Sequence, residues 1–252
     1  MRIYYINLDR HSDRRAHMEA QLRGLDAERT AATDAQNWPQ TEKGLTRFEI
    51  ACLHSHRSAW RRFLDSGAAF ACILEDDVIF SPDFPELMQS EHWIPADADA
   101  VKLDTFFNKV MLDKDAHEVM GRRLALLHTR HESTAGYIVS RKGAEHYLRV
   151  TENPVLPADY TLFPEDPRAK GLAVYQLAPA ILIQDSLRQK SVGSGQNFGS
   201  SIQKVDGGGT KKNLASKARR EVGRLYKQIF KTRRYLRDRL LKGLKPEIVP
   251  FR

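Results

Sequence analysis

Seven consecutive apolar residues, Ala68 to Leu74, run straight into three carboxylates, Glu75-Asp76-Asp77. A run this short, bounded by Gly67 and by charge, fits a strand buried on both faces of a sheet. The carboxylates then stand at the strand's C-terminal end, where ligands bind in open α/β sheets. Three anions a few ångströms apart repel, and the arrangement persists most easily beside a cation. Carboxylate oxygens suit a hard divalent cation, Mn2+ or Mg2+. An ion there would grip a diphosphate and stabilise it as it leaves. The competing reading is a solvated acidic turn in which Asp77 caps a helix.

The flanking pattern alternates. Ile3–Leu8 reads as a strand, and Ser12 caps a helix through Arg14–Arg23. A short strand is expected within 27–33. Thr46–Ser66 reads as a helix, with Ile50, Leu53, Ala59, Trp60, Phe63 and Leu64 on one face and Gly67 as its stop. Val101–Leu103, ending at Asp104, Leu124–Leu127 and Ala135–Val139 read as strands, and Lys142–Val150 as a helix. Val174–Leu177 and Ile181–Ile183 read as a final strand pair around Pro179. The expectation is an α/β fold with a mostly parallel central sheet flanked by helices.

Charge divides the chain. Of 40 basic and 32 acidic residues, 16 basic and only 4 acidic ones lie from Lys204 to Arg252. The remainder is therefore mildly acidic. Ser191-Val-Gly-Ser-Gly and Gly207-Gly-Gly209 mark a linker. Leu214, Val222, Leu225, Ile229, Leu236 and Leu240 then recur at helical spacing among Lys and Arg. The expected organisation is a domain over 1–190, a flexible linker over 191–210 and a basic amphipathic helical tail over 211–252. Such a tail suits an anionic membrane surface; the competing reading packs it on the domain. Regular aromatic interleaving is lacking and the main part is acidic, so no nucleic acid is expected as a partner.

Two cysteines, Cys52 and Cys72, sit among apolar neighbours and read as buried free thiols rather than a disulfide framework. No apolar run approaches the roughly 20 residues that span a bilayer, and the start does not read as a leader. The expected location is the cytoplasm, peripheral on the cytoplasmic face of the inner membrane.

Two further clusters draw the eye. His54 and His56 are two apart, so they do not share a helix face, and this is not zinc-ligand spacing. One of them would point at a ligand. Asn7-Leu-Asp-Arg10 with Asp13-Arg-Arg15 follows a strand and enters a helix, so a helix N-terminus and several guanidinium groups would meet a nucleotide there.

Five segments in order resemble glycosyltransferase family 25, the lipooligosaccharide and lipopolysaccharide glycosyltransferases. They are Ile6-Asn-Leu-Asp-Arg10 with Asp13-Arg-Arg15; Glu49-Ile-Ala-Cys-Leu-His-Ser-His56 to Trp60; Ile73-Leu-Glu-Asp-Asp77; Thr134-Ala-Gly-Tyr-Ile-Val-Ser140 with Lys142-Gly-Ala144; and Pro157-Ala-Asp159. Their order and spacing agree with the family over about residues 3–185. This chain departs from the pattern at Phe48 and Ala51, and Ala135-Gly136 reverses a Gly-Ala order.

The resemblance implies a GT-A-like fold, a UDP-sugar donor, often UDP-galactose, inversion at the anomeric carbon and a lipid-linked glycan acceptor. By matching position, Glu75 and Asp77 become the ends of an Asp-x-Asp-type metal motif, with Asp77 the more direct ligand and Asp76 between them. Asp185 or the substrate would complete the coordination. Asn7, Leu8, Arg10 and Arg14 would lie near the nucleotide, and His56 would face the donor cleft. Inversion needs a base opposite the leaving diphosphate. Asp159, beside Pro157, is the candidate and Asp104 its rival; either must reach the acceptor hydroxyl. The alternatives are a metal-dependent phosphotransfer or hydrolase enzyme, and a non-catalytic membrane-associated glycan-binding protein.

Overall fold

The structure, a computed structural model, describes residues 1–37, 44–192 and 243–252. Strand β1 (Arg2–Asn7) leads through helix α1 (Ser12–Gln21) and β2 (Ala27–Ala31) to the long helix α2 (Arg47–Asp65). Strands β3 (Phe70–Glu75) and β4 (Val78–Phe80) follow, then α3 (Phe84–Met88) and β5 (Ala100–Lys102). A hairpin of β6 (Lys109–Val119) and β7 (Arg122–Leu127) precedes β8 (Gly136–Ser140), α4 (Arg141–Val150) and α5 (Ala158–Leu162). The chain continues through β9 (Val174–Ala178), β10 (Leu182–Gln184) and α6 (Asp185–Val192), and its last described segment holds β11 (Lys245–Ile248).

Nine strands form one sheet in the order β11-β6-β7-β9-β5-β8-β3-β1-β2, and β10 pairs with β4 beside it. The sheet is mixed, which corrects the expectation of a mostly parallel one. Only β1–β2, β1–β3 and β5–β9 run parallel; the other five pairs are antiparallel. Two of these pairs come from β8, which enters between β3 and β5 from the carboxylate end instead of through a crossover helix, and the other three from the β6–β7 hairpin and its neighbours β9 and β11. Strands β9 and β10 do not pair with each other as expected: β9 joins the large sheet and β10 joins β4.

Alternation along the central strands builds two cores. Tyr4, Ile6, Ala71 and Ile73 face one side with Leu53, Trp60 and Phe63 of α2 and Tyr147 of α4. Ile3, Tyr5, Cys72 and Leu74 face the other with Met18 of α1 and Phe84 of α3. Strand β3 is thus covered on both faces, as its apolar run requires. Helix α2 starts on a capping box: the Glu49 amide donates to Thr46 Oγ1 at 3.2 Å, and the Thr46 amide donates to Glu49 Oε2 at 2.7 Å.

Strand β6 carries Lys114, Asp115, His117 and Glu118 and had no strand signature. It forms because Met120 and Gly121, both at positive φ, make the tight two-residue turn that returns the chain as β7. Strand β11 covers the far edge of β6. Residues 243–252 are therefore not part of a helical tail: Val249 is fully buried and its carbonyl accepts from Thr105 Oγ1 at 2.7 Å. Ser191 and Val192 belong to α6, while the rest of the expected linker, and the helical tail over 211–242, lie outside the described residues.

Candidate active site

The C-terminal ends of β1, β3 and β5 and the entry to β8 meet at one edge of the sheet. A cleft opens there between α2 and the start of α1. Leu8, Arg10, Arg14, His56, Glu75, Asp76 and Asp77 all line it, together with His11, Cys52 and Gln184. Seven of the site residues read from the sequence thus meet in one cleft, while Asn7, Asp104 and Asp159 are not among its lining residues. The acidic triplet turns into this cleft rather than into bulk solvent.

The three carboxylates have separate roles. Asp76 is saturated: Asn7 Nδ2 donates to it at 2.7 Å and Arg14 Nη1 at 2.8 Å. Its oxygens hold β1 and α1 to the end of β3, so the middle residue braces the motif. Asn7 itself is buried behind the cleft wall, where its Oδ1 also accepts from Arg29 Nε at 2.9 Å. Glu75 accepts from Thr134 Oγ1 at 2.6 Å and lies 3.4 Å from both His56 Nε2 and Gln184 Nε2. Burial works against its charge, but His56, Thr134 and Lys102 hold the Glu75 carboxyl below the usual range.

Asp77 is the unsatisfied member. Its Oδ1 is buried without a hydrogen-bond partner, and Arg14 approaches Oδ2 only to 3.9 Å. Burial, Glu75 and Asp76 together push its pKa up to about 7. A buried carboxylate oxygen with no donor, beside two further carboxylates, fits a divalent oxygen-loving cation. Asp77 and Glu75 are the residues able to hold one; Asp76 is already occupied. The backbone amide of Asp185 donates to the Asp77 carbonyl at 2.8 Å, which places that residue at the same turn.

Helix α2 supplies the opposite wall. His56 is 1% exposed, and its Nδ1 lies 3.0 Å from the Tyr137 hydroxyl, which also accepts from Trp60 Nε1 at 2.8 Å. Ser55 accepts from the Thr33 amide at 2.9 Å and so pins the exit of β2. Cys52 lies one turn before His56 and is half-buried in the cleft wall, which corrects its reading as a buried thiol; Cys72 is buried as expected. The Cys52 thiol pKa is raised well above normal by burial, then by Glu75 and Asp159. Arg10 sits at the rim, paired with Asp34.

The two candidate bases separate cleanly. Asp104 is fully buried, and Lys102 Nζ donates to it at 2.6 Å. Burial raises the Asp104 pKa against the pull of Lys102. The same Lys102 donates to the Ser133 carbonyl at 2.6 Å, so the pair supports the loop entering β8. Asp159 is half-buried in the first turn of α5, accepting from the Tyr160 amide at 2.9 Å and the Ser133 amide at 3.4 Å. Burial raises its pKa against those bonds. Ser133 and Thr134 are adjacent, so one loop touches both Asp159 and Glu75. Thr134, Gln184, Lys102 and His11 were not singled out from sequence, although Thr134 stands in one of the five quoted segments.

Among the described residues, no helix is long and apolar enough to cross a membrane. The model of glycosyltransferase family 25, an LPS biosynthesis protein family, matches residues 1–162. The lacto-N-neotetraose biosynthesis glycosyltransferase LgtE of Neisseria meningitidis serogroup B is 31% identical over 172 residues, 64% of this chain and 61% of that protein. LgtB of Neisseria gonorrhoeae, described in the same words, is 30% identical over 208 residues, 73% of this chain and 75% of that protein. The lipooligosaccharide biosynthesis protein lex-1 of Haemophilus influenzae is 29% identical over 152 residues, covering 56% and 50%. The chain thus spans about three fifths of the length of LgtE. With the match covering well over half of its residues and including the acidic strand end, the chain belongs to glycosyltransferase family 25.

Proposed function

We propose that this protein transfers a sugar, galactose, from a UDP-sugar to a lipooligosaccharide or related glycan acceptor, with inversion and with the help of Mn2+ or Mg2+. The observation that carries the reading is Asp77: a carboxylate with an orphaned buried oxygen, in a cleft, at the end of the central strand. Asp77 and Glu75 would hold the cation, which when bound offsets the charge of a leaving diphosphate.

The chain's own residues do the rest. The start of α1 offers amide groups, and Arg10 positive charge, to phosphate oxygens. Asp76, neutralised by Arg14, fixes the motif's backbone so that Asp77 and Glu75 point into the cleft. Asp159 takes the proton from the acceptor hydroxyl. It is the favoured base because Asp104 is sealed off and already the counter-ion of Lys102. Its raised pKa moves it toward the range in which a general base is effective. The basic segment from Lys204 onward provides contact with an anionic membrane surface, at roughly 1 kcal/mol for each Lys or Arg that reaches it.

A thermal-shift screen of nucleotide sugars with and without manganese tests this reading, followed by transfer assays on the donor that binds. Stabilisation by a UDP-sugar only when manganese is present is the expected result. Asp77→Asn should keep the fold and abolish transfer. Full manganese-dependent turnover in that variant would sink the metal assignment.

A further inference from the structure

We propose that Cys52, His56 and Glu75 form a second cation site in this cleft, suited to a thiophilic divalent ion such as zinc and distinct from the oxygen donors of Asp77. Cys52 and His56 are four residues apart on α2, so both face the same way. Glu75, ending β3, faces them. One ligand atom from each lies within 4.8 Å of the other two.

The distances suit tetrahedral coordination. His56 Nε2 and Glu75 Oε1 are 3.4 Å apart without hydrogen-bond geometry, and Nε2 has no hydrogen-bond partner among the described residues. Zinc bonds of about 2.0–2.2 Å to nitrogen and oxygen, at a tetrahedral angle, separate the two donors by roughly 3.4 Å. The Cys52 sulfur, on the half-buried cleft wall, lies within 4.8 Å of both and closes the triangle.

The surroundings orient the donors. The 3.0 Å contact of its Nδ1 with the Tyr137 hydroxyl fixes the His56 ring with Nε2 toward Glu75. The Thr134 hydroxyl donates to Glu75 Oε1, the oxygen that faces His56, and fixes its position. Outer partners of this kind fix ligand geometry in metal sites. Sulfur with imidazole selects zinc, whereas carboxylate oxygens select magnesium or manganese, so the two sites differ in preference. Three protein donors leave a fourth position facing the cleft, which marks an open site. That zinc here would draw Glu75 away from Asp77 and inhibit transfer rests on the function proposed above; binding itself does not.

Cobalt(II) titration of the full-length protein reads the site directly. One equivalent should produce a near-ultraviolet sulfur-to-cobalt charge-transfer band with strong visible bands of a four-coordinate ion, and zinc should bleach both. Cys52→Ser should remove the charge-transfer band and weaken zinc at least about tenfold, the loss that even outer partners of a metal ligand produce. Asp77→Asn should retain the band. Circular dichroism confirms that each variant is folded, and the wild-type spectrum carries the test if one is not. A cobalt-loaded wild type with no sulfur band overturns the proposal. So does a band that survives Cys52→Ser or disappears in Asp77→Asn. An enzyme inactive toward UDP-sugars would leave these spectra unchanged, so the two proposals fail separately.

Discussion

Arg14 Nη1 lies 2.8 Å from Asp76 Oδ1, joining the first helix to the end of the central strand across 62 residues of chain. Both side chains are about one-tenth exposed. A largely buried pair broken by removing one partner leaves an uncompensated charge, and that costs on the order of 3–5 kcal/mol. Arg14→Met should therefore lower stability by about 3 kcal/mol, read as a lower urea midpoint. The Arg14→Met, Asp76→Asn double variant should recover part of the loss. Equal destabilisation in single and double variants would show that the pair does not act as a unit.

Asp77 makes stability depend on pH in an unusual direction. Its folded-state pKa of about 7 lies above the about 3.9 of an unfolded aspartate. Between those values the folded protein holds a proton that the unfolded chain has lost. Stability therefore falls as pH rises from about 4 to about 7, then levels off. Asp77→Asn removes this slope. Its advantage over wild type should be small near pH 4 and largest above pH 7, as measured by urea unfolding across that range. Manganese should correspondingly raise the wild-type melting temperature more above pH 7 than near pH 5.

The two aspartates considered as bases should respond differently to substitution. Asp159→Asn removes a general base and should lower kcat about a hundredfold or more, with donor KM little changed. Asp104→Asn strands the buried Lys102 ammonium, which also props the Ser133 carbonyl. It should cost about 3 kcal/mol of stability in denaturant titrations. An Asp159→Asn enzyme with normal kcat would return the base assignment to another group.

Gly143 in α4 sits against the strand-β5 entry. A Cβ there would meet the Asp99 carbonyl oxygen at 2.1 Å and its carbon at 2.9 Å, both backbone atoms. Alanine ordinarily favours a helix by about 1 kcal/mol over glycine. Here Gly143→Ala should instead destabilise by about 1–3 kcal/mol through overpacking, seen as a lower thermal midpoint. The Gly136 position is more forgiving, since its nearest atoms belong to the flexible Leu182 side chain.

What the sequence disclosed follows from how burial writes itself into a chain. Strand β3 and helix α2 were legible because both faces of one and one face of the other are apolar at the right period. The acidic triplet was legible as a cleft feature for the same reason: a buried strand has to end somewhere. Division of labour within the triplet was not legible, because Asn7 and Arg14, which saturate Asp76, come from distant segments. Strand β6 escaped notice since its polar residues, such as Lys114 and Glu118, lie on an exposed stretch whose extended shape is imposed by β7. The direction of β8 cannot be read from Gly136–Ser140 alone; it depends on the side from which the preceding loop arrives, and that loop carries Thr134. The four-residue interval between Cys52 and His56 was visible throughout, and helical geometry alone would have paired them.

Strand β11 gives the chain's end a task separate from its charge. By pairing with Lys109–Leu112 of β6 and anchoring Val249 to Thr105, it covers part of a long strand's edge and leaves in its place a short margin interrupted by Pro246. Cutting the chain after residue 192 to remove the positive charge would strip away this cover as well. A deletion confined to 204–242, with the last ten residues spliced back, separates membrane attraction from aggregation.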